Sequence, residues 1–512
     1  MKKPLLFLTS LLLSPALSAD LLVGRAVDEH GVGIPGIDID VKNLGGGGDP
    51  DIFNDGTDAN GDFAVTVPAG FYRIIFNPPP PPASTNLILE VDDVVILGTT
   101  NLGTVVLPAG AAVFGRVVNE LGVPVAGVNL DVIDASGDNL DLIGDTSNAF
   151  GQFAVAAPLE AVEVRFDTSG VAGQTLASAA VQLALTEDVD LGDLTLLNGV
   201  HLTGRVVGPG GGGVQGADLD VEDAATGVDL YTPKDNTDSN GNFDVVIPVG
   251  VWDIDVCPLG GQVLVGHVIE GQVVTGNTNL GNIALVSGVF LTGTVVDGSG
   301  TPVAGVDLDL NQAGGGPSVG LCADNTNASG QYSVIVPTGT FDIRISPPYS
   351  LPLGGVQVSS QTITGNSVLN AVLPDCAFGT SYGVGLAGQG GVVPVLANEG
   401  GAPRVGNDDW GYRISAGVGG SFAAVLVGIG PASVPAWSGT LLVNPLPVHA
   451  LLPLVLGGAP GAAGTGEAPL TFPVPITTGL VGITLYAQAL VQDLAAPNWI
   501  SLSQGLSTTL CL

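Results

Sequence analysis

Four segments of the chain alternate strictly between apolar positions and acidic or small polar ones. They are Gly36-Ile37-Asp38-Ile39-Asp40-Val41, Gly127-Val128-Asn129-Leu130-Asp131-Val132, Gly216-Ala217-Asp218-Leu219-Asp220-Val221 and Gly305-Val306-Asp307-Leu308-Asp309-Leu310. A period of two marks a half-buried β-strand, so Ile39, Leu130, Leu219 and Leu308 are predicted to point inward and the acids toward solvent. A further strand precedes each segment, opening at Gly24-Arg25-Ala26-Val27, Gly115-Arg116-Val117-Val118, Gly204-Arg205-Val206-Val207 and Gly293-Thr294-Val295-Val296. After a variable loop comes an acidic turn that ends on an aromatic residue: Asp55 to Phe63, Asp145 to Phe153, Asp235 to Phe243 and Asp324 to Tyr332. The turn glycines at 61, 151, 241 and 330 step by 90, 90 and 89 residues. Two β-stretches then flank a Pro-x-Gly turn, as in Phe243 to Ile247 and Val251 to Val256. A closing β-pair carries Asn101-Leu102-Gly103, Asp190-Leu191-Gly192 and Asn279-Leu280-Gly281, which degrades to Val368-Leu369-Asn370 in the fourth copy. The run Pro78 to Pro82 predicts an extended polyproline loop.

A period near 90 residues is far longer than a solenoid repeat and suits one independent sandwich of about seven strands. The predicted organisation is an all-β chain: an export signal over 1–19, four tandem sandwiches over 20–109, 110–198, 199–287 and 288–375, and a separate sandwich-like C-terminal domain over 376–512. The joints around 108–111, 197–200 and 286–289 are too short for free flexing, which predicts a semi-rigid rod. Gly 78 and Pro 36 are high, but a hydrophobic fraction of 45% argues against disorder and for turn-dense β-structure.

Charge narrows the partners. The chain carries 48 acidic residues against 12 Lys and Arg, a net charge of −36. Nothing here could neutralise phosphates or anionic lipid, so nucleic acid and acidic membrane surfaces are excluded as partners. Cations or a saline setting fit better. At the start, Lys2 and Lys3 precede the apolar run Leu5 to Leu13 and the small-residue segment Ala16-Leu17-Ser18-Ala19, the pattern of a secretory signal. No later apolar run is long enough to span a bilayer without interruption. The expected location is therefore secreted or at the cell surface.

The order Gly-Arg-Val-Val, turn, Pro-Val-Ala-Gly-Val, Thr-Asp-x-x-Gly-x-Phe and Val-Pro-x-Gly-x-Tyr/Trp resembles the carboxypeptidase regulatory-like family over about residues 20–375. That resemblance implies a transthyretin-like (prealbumin-like) seven-stranded sandwich, akin to the B-type repeats of bacterial adhesins and to starch-binding-like domains. It implies a non-catalytic stalk or appendage. The lysine–asparagine crosslinks of such modules need one lysine each. Only Lys42 and Lys234 follow the signal, so the second and fourth repeats cannot form one. The C-terminal part, with five acids, two arginines and the ending Tyr486-Ala487-Gln488-Ala489-Leu490, resembles the C-terminal β-modules of exported proteins of environmental bacteria.

Enzyme signatures are sparse. His30, His201, His267 and His449 are scattered without metal-ligand spacing, and no nucleophile elbow or phosphate-cradling loop is present. Calcium is the sharpest cofactor expectation, because Asp55, Asp58 and Asn60 and again Asp235, Asp238 and Asn240 cluster oxygen donors in the turns. The competing reading is turn chemistry, since Asp, Asn and Gly are the ordinary turn formers; Phe150 interrupts the pattern in the second repeat and favours it. For carbohydrate, Trp252, Tyr231 and Tyr72 are candidates in the repeats, although Trp252 aligns with Tyr72 and Phe341 beside the Pro-x-Gly turn and so reads as core. Trp410 with Asp408, Asp409 and Tyr412 forms the better sugar-face candidate. Cys376 and Cys511 bracket the last domain and are expected to pair in an oxidising compartment. Cys257 and Cys322 fall in neighbouring repeats; a bridge between them is an expectation that their spacing does not fix. The expected function is a non-catalytic structural or adhesive protein that meets extracellular polysaccharide or cell-surface proteins. The alternatives are a carbohydrate-binding protein on the starch-binding-like fold and, third, an enzyme accessory or hydrolase domain at the C-terminus.

Overall fold

The computed structural model describes residues 19–446 and 449–512. The export-signal reading falls, but for Ala19, outside the described residues, as does the side chain of His449.

The first repeat sets the pattern. Its strands are β1 (Ala19–Val27), β2 (Asp38–Asn43), β3 (Asp62–Pro68), β4 (Gly70–Asn77), β5 (Leu89–Ile96) and β6 (Thr99–Val106). They form two three-stranded sheets, in the orders β3-β1-β6 and β2-β4-β5. The first strand runs antiparallel to β3 and parallel to β6, from Leu21 beside Thr99 to Val27 beside Val106. The same pairings recur in the second repeat, between Gly110 and Leu196, and in the third, between Gly199 and Ala284. In the fourth, the counterpart of β6 is split into Ser367–Val368 and Ala371–Val372. The first two repeats have six strands rather than seven. The third and fourth add a two-residue strand, Asp229–Leu230 and Ser318–Val319, to the edge of the second sheet.

Period-two alternation does place the cores. Ile39, Leu130 and Leu219 are fully buried and Leu308 is nearly so, while the intervening strand acids lie at the surface. Each repeat encloses its own apolar cluster between its two sheets. The aromatic residue that ends each acidic turn sits in it: Phe63, Phe153, Phe243 and Tyr332 are all buried. In the first two repeats this ring meets another edge-on, Phe63 against Phe76 at 5.5 Å and Phe153 against Phe166 at 5.2 Å. Edge-to-face geometry is the favoured one for paired rings, so these pairs add to plain area burial.

The C-terminal domain shares no strand with the repeats. A five-stranded sheet runs in the order Thr380–Tyr382, Ile500–Thr509, Thr484–Gln492, Phe422–Gly428, His449–Val455. A second sheet, Val395–Glu399, Gly411–Val418 and Ala463–Thr471, faces it across a core that holds Trp410, Tyr412, Val425 and Ala489. The hairpin Pro431–Ala436 with Gly439–Val443 packs on the opposite side of the larger sheet, through Leu426, Leu441 and Val443. Gln488 pins it there. Its buried side-chain carbonyl accepts from the Leu442 N–H at 2.9 Å, and its amide donates to Thr440 and Ser503 carbonyls. Among the described residues no helix is long and apolar enough to cross a membrane.

Candidate functional site

The acidic turn is built by two side chains that act on the backbone. In the third repeat the Thr237 hydroxyl donates to the Val214 carbonyl at 2.7 Å and accepts from the Ala217 N–H at 2.8 Å. Thr57, Ser147 and Thr326 make the same two bonds in their own repeats. The residue that follows caps the turn. Asp238 Oδ1 accepts from the N–H groups of Asn240 and Asn242, both at 2.8 Å. Asp58, Asn148 and Asn327 do likewise. These bonds, led by the Asn242 N–H, hold Asp238 below the usual carboxylate range. An Asn serves as well as an Asp here, because only one acceptor oxygen is needed.

Glycine is obligatory at the turn's end. Gly241 has φ +83°, and a Cβ there would lie 2.3 Å from the Val206 carbonyl oxygen. In the first, third and fourth repeats the first acid of the turn does something different. Asp235 lies against Asp218, the first outward acid of the neighbouring strand; Asp55 faces Asp38, and Asp324 faces Asp307. The calcium candidates are therefore divided between two jobs. Asp58 and Asp238 are engaged by their own backbone, while Asp55 and Asp235 belong to the open sheet face. Among the described residues no group of three or more His, Cys, Asp or Glu side chains is arranged to hold a metal ion.

That sheet face changes character from repeat to repeat. Cross-strand register sets Asp40 opposite Ile75, Asp131 opposite Arg165, Asp220 opposite Asp255 and Asp309 opposite Arg344. The third repeat alone in this series places two acids face to face. Desolvation, then the charges of Asp218, Asp229, Asp235 and Asp255, raises Asp220 to about 6. Asp324 of the fourth repeat also rises to about 6, through desolvation first and then Asp307, Asp309 and, across the joint, Asp255.

The joints use equivalent loops. In each, the end of the β4-type strand and the loop after it meet the loop that precedes the acidic turn of the next repeat. Between repeats one and two, Pro78 to Pro81 and Leu87 line an apolar cavity of about 220 Å³ with Leu140, Leu142 and Ile143. Between two and three, the Arg165 guanidinium lies 5.0 Å over the Tyr231 ring, and Lys234 Nζ donates to Ser169 Oγ at 2.9 Å. Between three and four the contact is covalent: Cys257 and Cys322 form a disulfide with Cα atoms 5.7 Å apart. Gly266 and Gly320 run so close beside it that a Cβ on either would lie 3.2 Å from backbone of the other. The fourth repeat meets the C-terminal domain at the matching place. Arg404 lies 4.3 Å over the Tyr349 ring, Arg344 Nη2 donates to the Val405 carbonyl, and Ala402 N–H donates to the Tyr349 carbonyl. Burial lowers Arg404 to about 10. The second disulfide, Cys376 to Cys511, closes this end with Cα atoms 6.0 Å apart.

The sugar-face reading of Trp410 and Tyr412 is corrected by the structure. Both are fully buried and stack edge-on at 5.1 Å, with Phe472 beside them. The sequence Trp-Gly-Tyr places both rings on one side of a strand, and here that side is the core. Asp408 and Asp409 stay exposed, while the two rings that would complete the platform face the core. Trp252 and Tyr72 are core residues, the former donating its indole N–H to the Pro248 carbonyl. His201 makes a surface pair with Asp244 at 2.7 Å. The turn hydroxyls were missed from sequence, although Thr57, Ser147, Thr237 and Thr326 share the glycine's spacing of 90, 90 and 89 residues.

No protein-family model matches the chain, and no curated protein matches it. Solved structures similar to parts of it include the TIE protein of Bacillus anthracis, at 13% identity over 67% of this chain and 68% of that one, TM-score 0.16. The shaft pilin SpaA of Lactobacillus rhamnosus GG has 12% identity over 35% of this chain and 97% of that one, TM-score 0.19. BcpA, the major pilin subunit of Bacillus cereus, has 11% identity over 52% of this chain and 99% of that one, TM-score 0.14. At such scores these likenesses carry no argument about function.

Proposed function

We propose that this protein is an exported, non-catalytic rod of carboxypeptidase regulatory-like sandwiches that holds its C-terminal domain away from its point of attachment or forms part of an extracellular matrix. The observation that carries this reading is the set of equivalent joints. One loop of each repeat meets one loop of the next, so the contact is head-to-tail, and head-to-tail contacts that do not close on themselves extend a linear array. Each joint adds a fastening of its own, whether apolar, cation–π or covalent, which resists bending about the short linkers. Two disulfides support a location outside the cytoplasm. An acidic surface keeps neighbouring sheets from pairing edge to edge. Partners at the cell surface, protein or polysaccharide, follow from that location.

Small-angle scattering of residues 20–512 tests the rod. A chain of this length folded into one ball has a radius of gyration of about 23 Å. The rod reading expects roughly twice that, with a cross-section that matches a single sandwich. A value near the compact one overturns it.

A further inference from the structure

The hairpin at Pro431–Val443 covers only part of the outer face of the five-stranded C-terminal sheet. Beyond it the face is open. Ala423 pairs with Val491, and Gln492 pairs with Ile500, so Phe422, Gln492 and Ile500 form one row across three neighbouring strands. Strands lie about 4.8 Å apart, so the row spans about 10 Å. Trp499 immediately precedes Ile500. Phe422 is 68% exposed and Trp499 67%. Together with Ala424, Leu490, Gln492 and Asn498 they line a shallow groove of about 380 Å³.

Two features distinguish this groove from an ordinary scatter of surface apolar residues. The first is its presentation. Asn498 and Trp499 both have left-handed backbone, at φ +56° and +62°, and so do Trp437 and Ser438 at the hairpin tip, at +49° and +67°. The two-residue tip Trp437-Ser438 is a place that ordinarily takes Asn-Gly, and Asn498-Trp499 ends the longer loop between Gln492 and Ile500, so each aromatic residue is held in left-handed backbone at a conformational cost. Asn498 Nδ2 donates to Ser438 Oγ at 2.9 Å and braces one turn against the other. The second feature is charge. None of the residues that line the groove ionises, in a chain whose net charge is −36. That selects against cationic partners, which the rest of the surface would favour, and offers nothing to an anion. What remains is a pair of exposed aromatic side chains, a small alanine floor and two primary amides.

We propose that this groove binds a neutral oligosaccharide. The apolar C–H faces of two pyranose rings lie on Trp499 and Phe422, and the Gln492 amide and the Asn498 side-chain carbonyl meet the equatorial hydroxyls. Rigid aromatic residues give such contact area at low entropic cost. The inference is independent of the rod reading, because it concerns one face of one domain.

The test is titration of the full chain with maltohexaose, cellohexaose, xylohexaose, mannohexaose and N-acetylchitohexaose, followed by calorimetry. Saturable binding of at least one is expected. Trp499→Ala and Phe422→Ala should each weaken it at least about tenfold without lowering the melting temperature, since both side chains are exposed. Phe150→Ala, an equally exposed aromatic residue in the second repeat, should leave it unchanged. Failure of all five sugars to saturate overturns the proposal, and so does binding that survives Trp499→Ala. Sedimentation distinguishes the competing occupant: a dimer that Trp499→Ala converts to monomer, without sugar binding, assigns the groove to a second copy of the chain and overturns the glycan reading.

Discussion

Asp220 and Asp255 stand directly opposite one another on adjacent antiparallel strands of the third repeat. Like charges in that position are destabilising by about 0.2–1 kcal/mol. Burial and the surrounding acids answer by raising Asp220 to about 6. A carboxylate whose folded value lies above its ordinary one keeps its proton in the native state where the unfolded chain has released it. Stability therefore falls as pH rises between about 4 and 6, and the deficit is complete above that window. Asp255→Asn is expected to raise the melting temperature of this repeat at pH 7.5 by roughly 1–5 °C. At pH 4.5 the gain should vanish. Calorimetry at the two pH values checks it; an equal effect at both would remove the electrostatic explanation.

The turn hydroxyls should be among the most sensitive polar positions in the repeats. Thr237→Val keeps the shape but leaves the Ala217 N–H and the Val214 carbonyl without their partner, a loss of about 1–3 kcal/mol for each buried group. Gly241→Ala must displace backbone at Val206 and should cost at least as much. Asn236→Ala, at an exposed position of the same turn, should stay within about 0.5 kcal/mol. Urea melts of the three variants give the ranking directly.

Calcium is expected to leave the protein unchanged. Asp58 and Asp238 already spend one oxygen on two backbone N–H groups each. A ligand of the native state must raise the melting temperature. Melts in millimolar calcium and in chelator should therefore agree to within about 1 °C. A clear rise with calcium would reassign the turns as metal loops.

Tyr412 supplies a test of the corrected C-terminal site. Its ring is fully buried and its hydroxyl has no hydrogen-bond partner, and desolvation pushes its ionisation far above the ordinary tyrosine value. Tyr412→Phe removes a buried polar atom without changing the packing. Stability should hold or rise by up to about 1 kcal/mol. A loss of several kcal/mol would mean that the hydroxyl is engaged.

Much of this was legible in the sequence. Strand parity placed Ile39, Leu130, Leu219 and Leu308 in the core, because a period of two leaves one face for apolar residues. The recurring glycine and aromatic pair marked the fold-back of each sandwich. The turn threonines were hidden because a hydroxyl among Asp, Asn and Gly looks like one more turn former; its role depends on carbonyls some twenty residues earlier. Trp410 and Trp499 were indistinguishable in kind. One is core and the other surface because of strand register in a domain with weak alternation, and register is set by pairing, not by local pattern. The joints were hidden for a similar reason: the loops that form them differ in composition in every repeat, and only their position in the fold is constant.

The parallel pairing of first and last strands has a mechanical consequence. A pull along the chain enters a repeat at the start of β1 and leaves at the end of β6. Those two strands are hydrogen-bonded side by side from Leu21 to Val27, so the load shears their bonds together and cannot peel them one at a time. The second and third repeats share this clamp. The fourth has only two short pieces of it, Leu291-Thr292 and Val295-Val296. Stretched one molecule at a time with the Cys257–Cys322 bridge reduced, since the intact bridge carries load past residues 258–321 and spares both clamps there, the fourth repeat should yield at the lowest force, and the first three should give way later as near-equal steps. The array would then extend in stages under tension, with its weakest member next to the domain it carries.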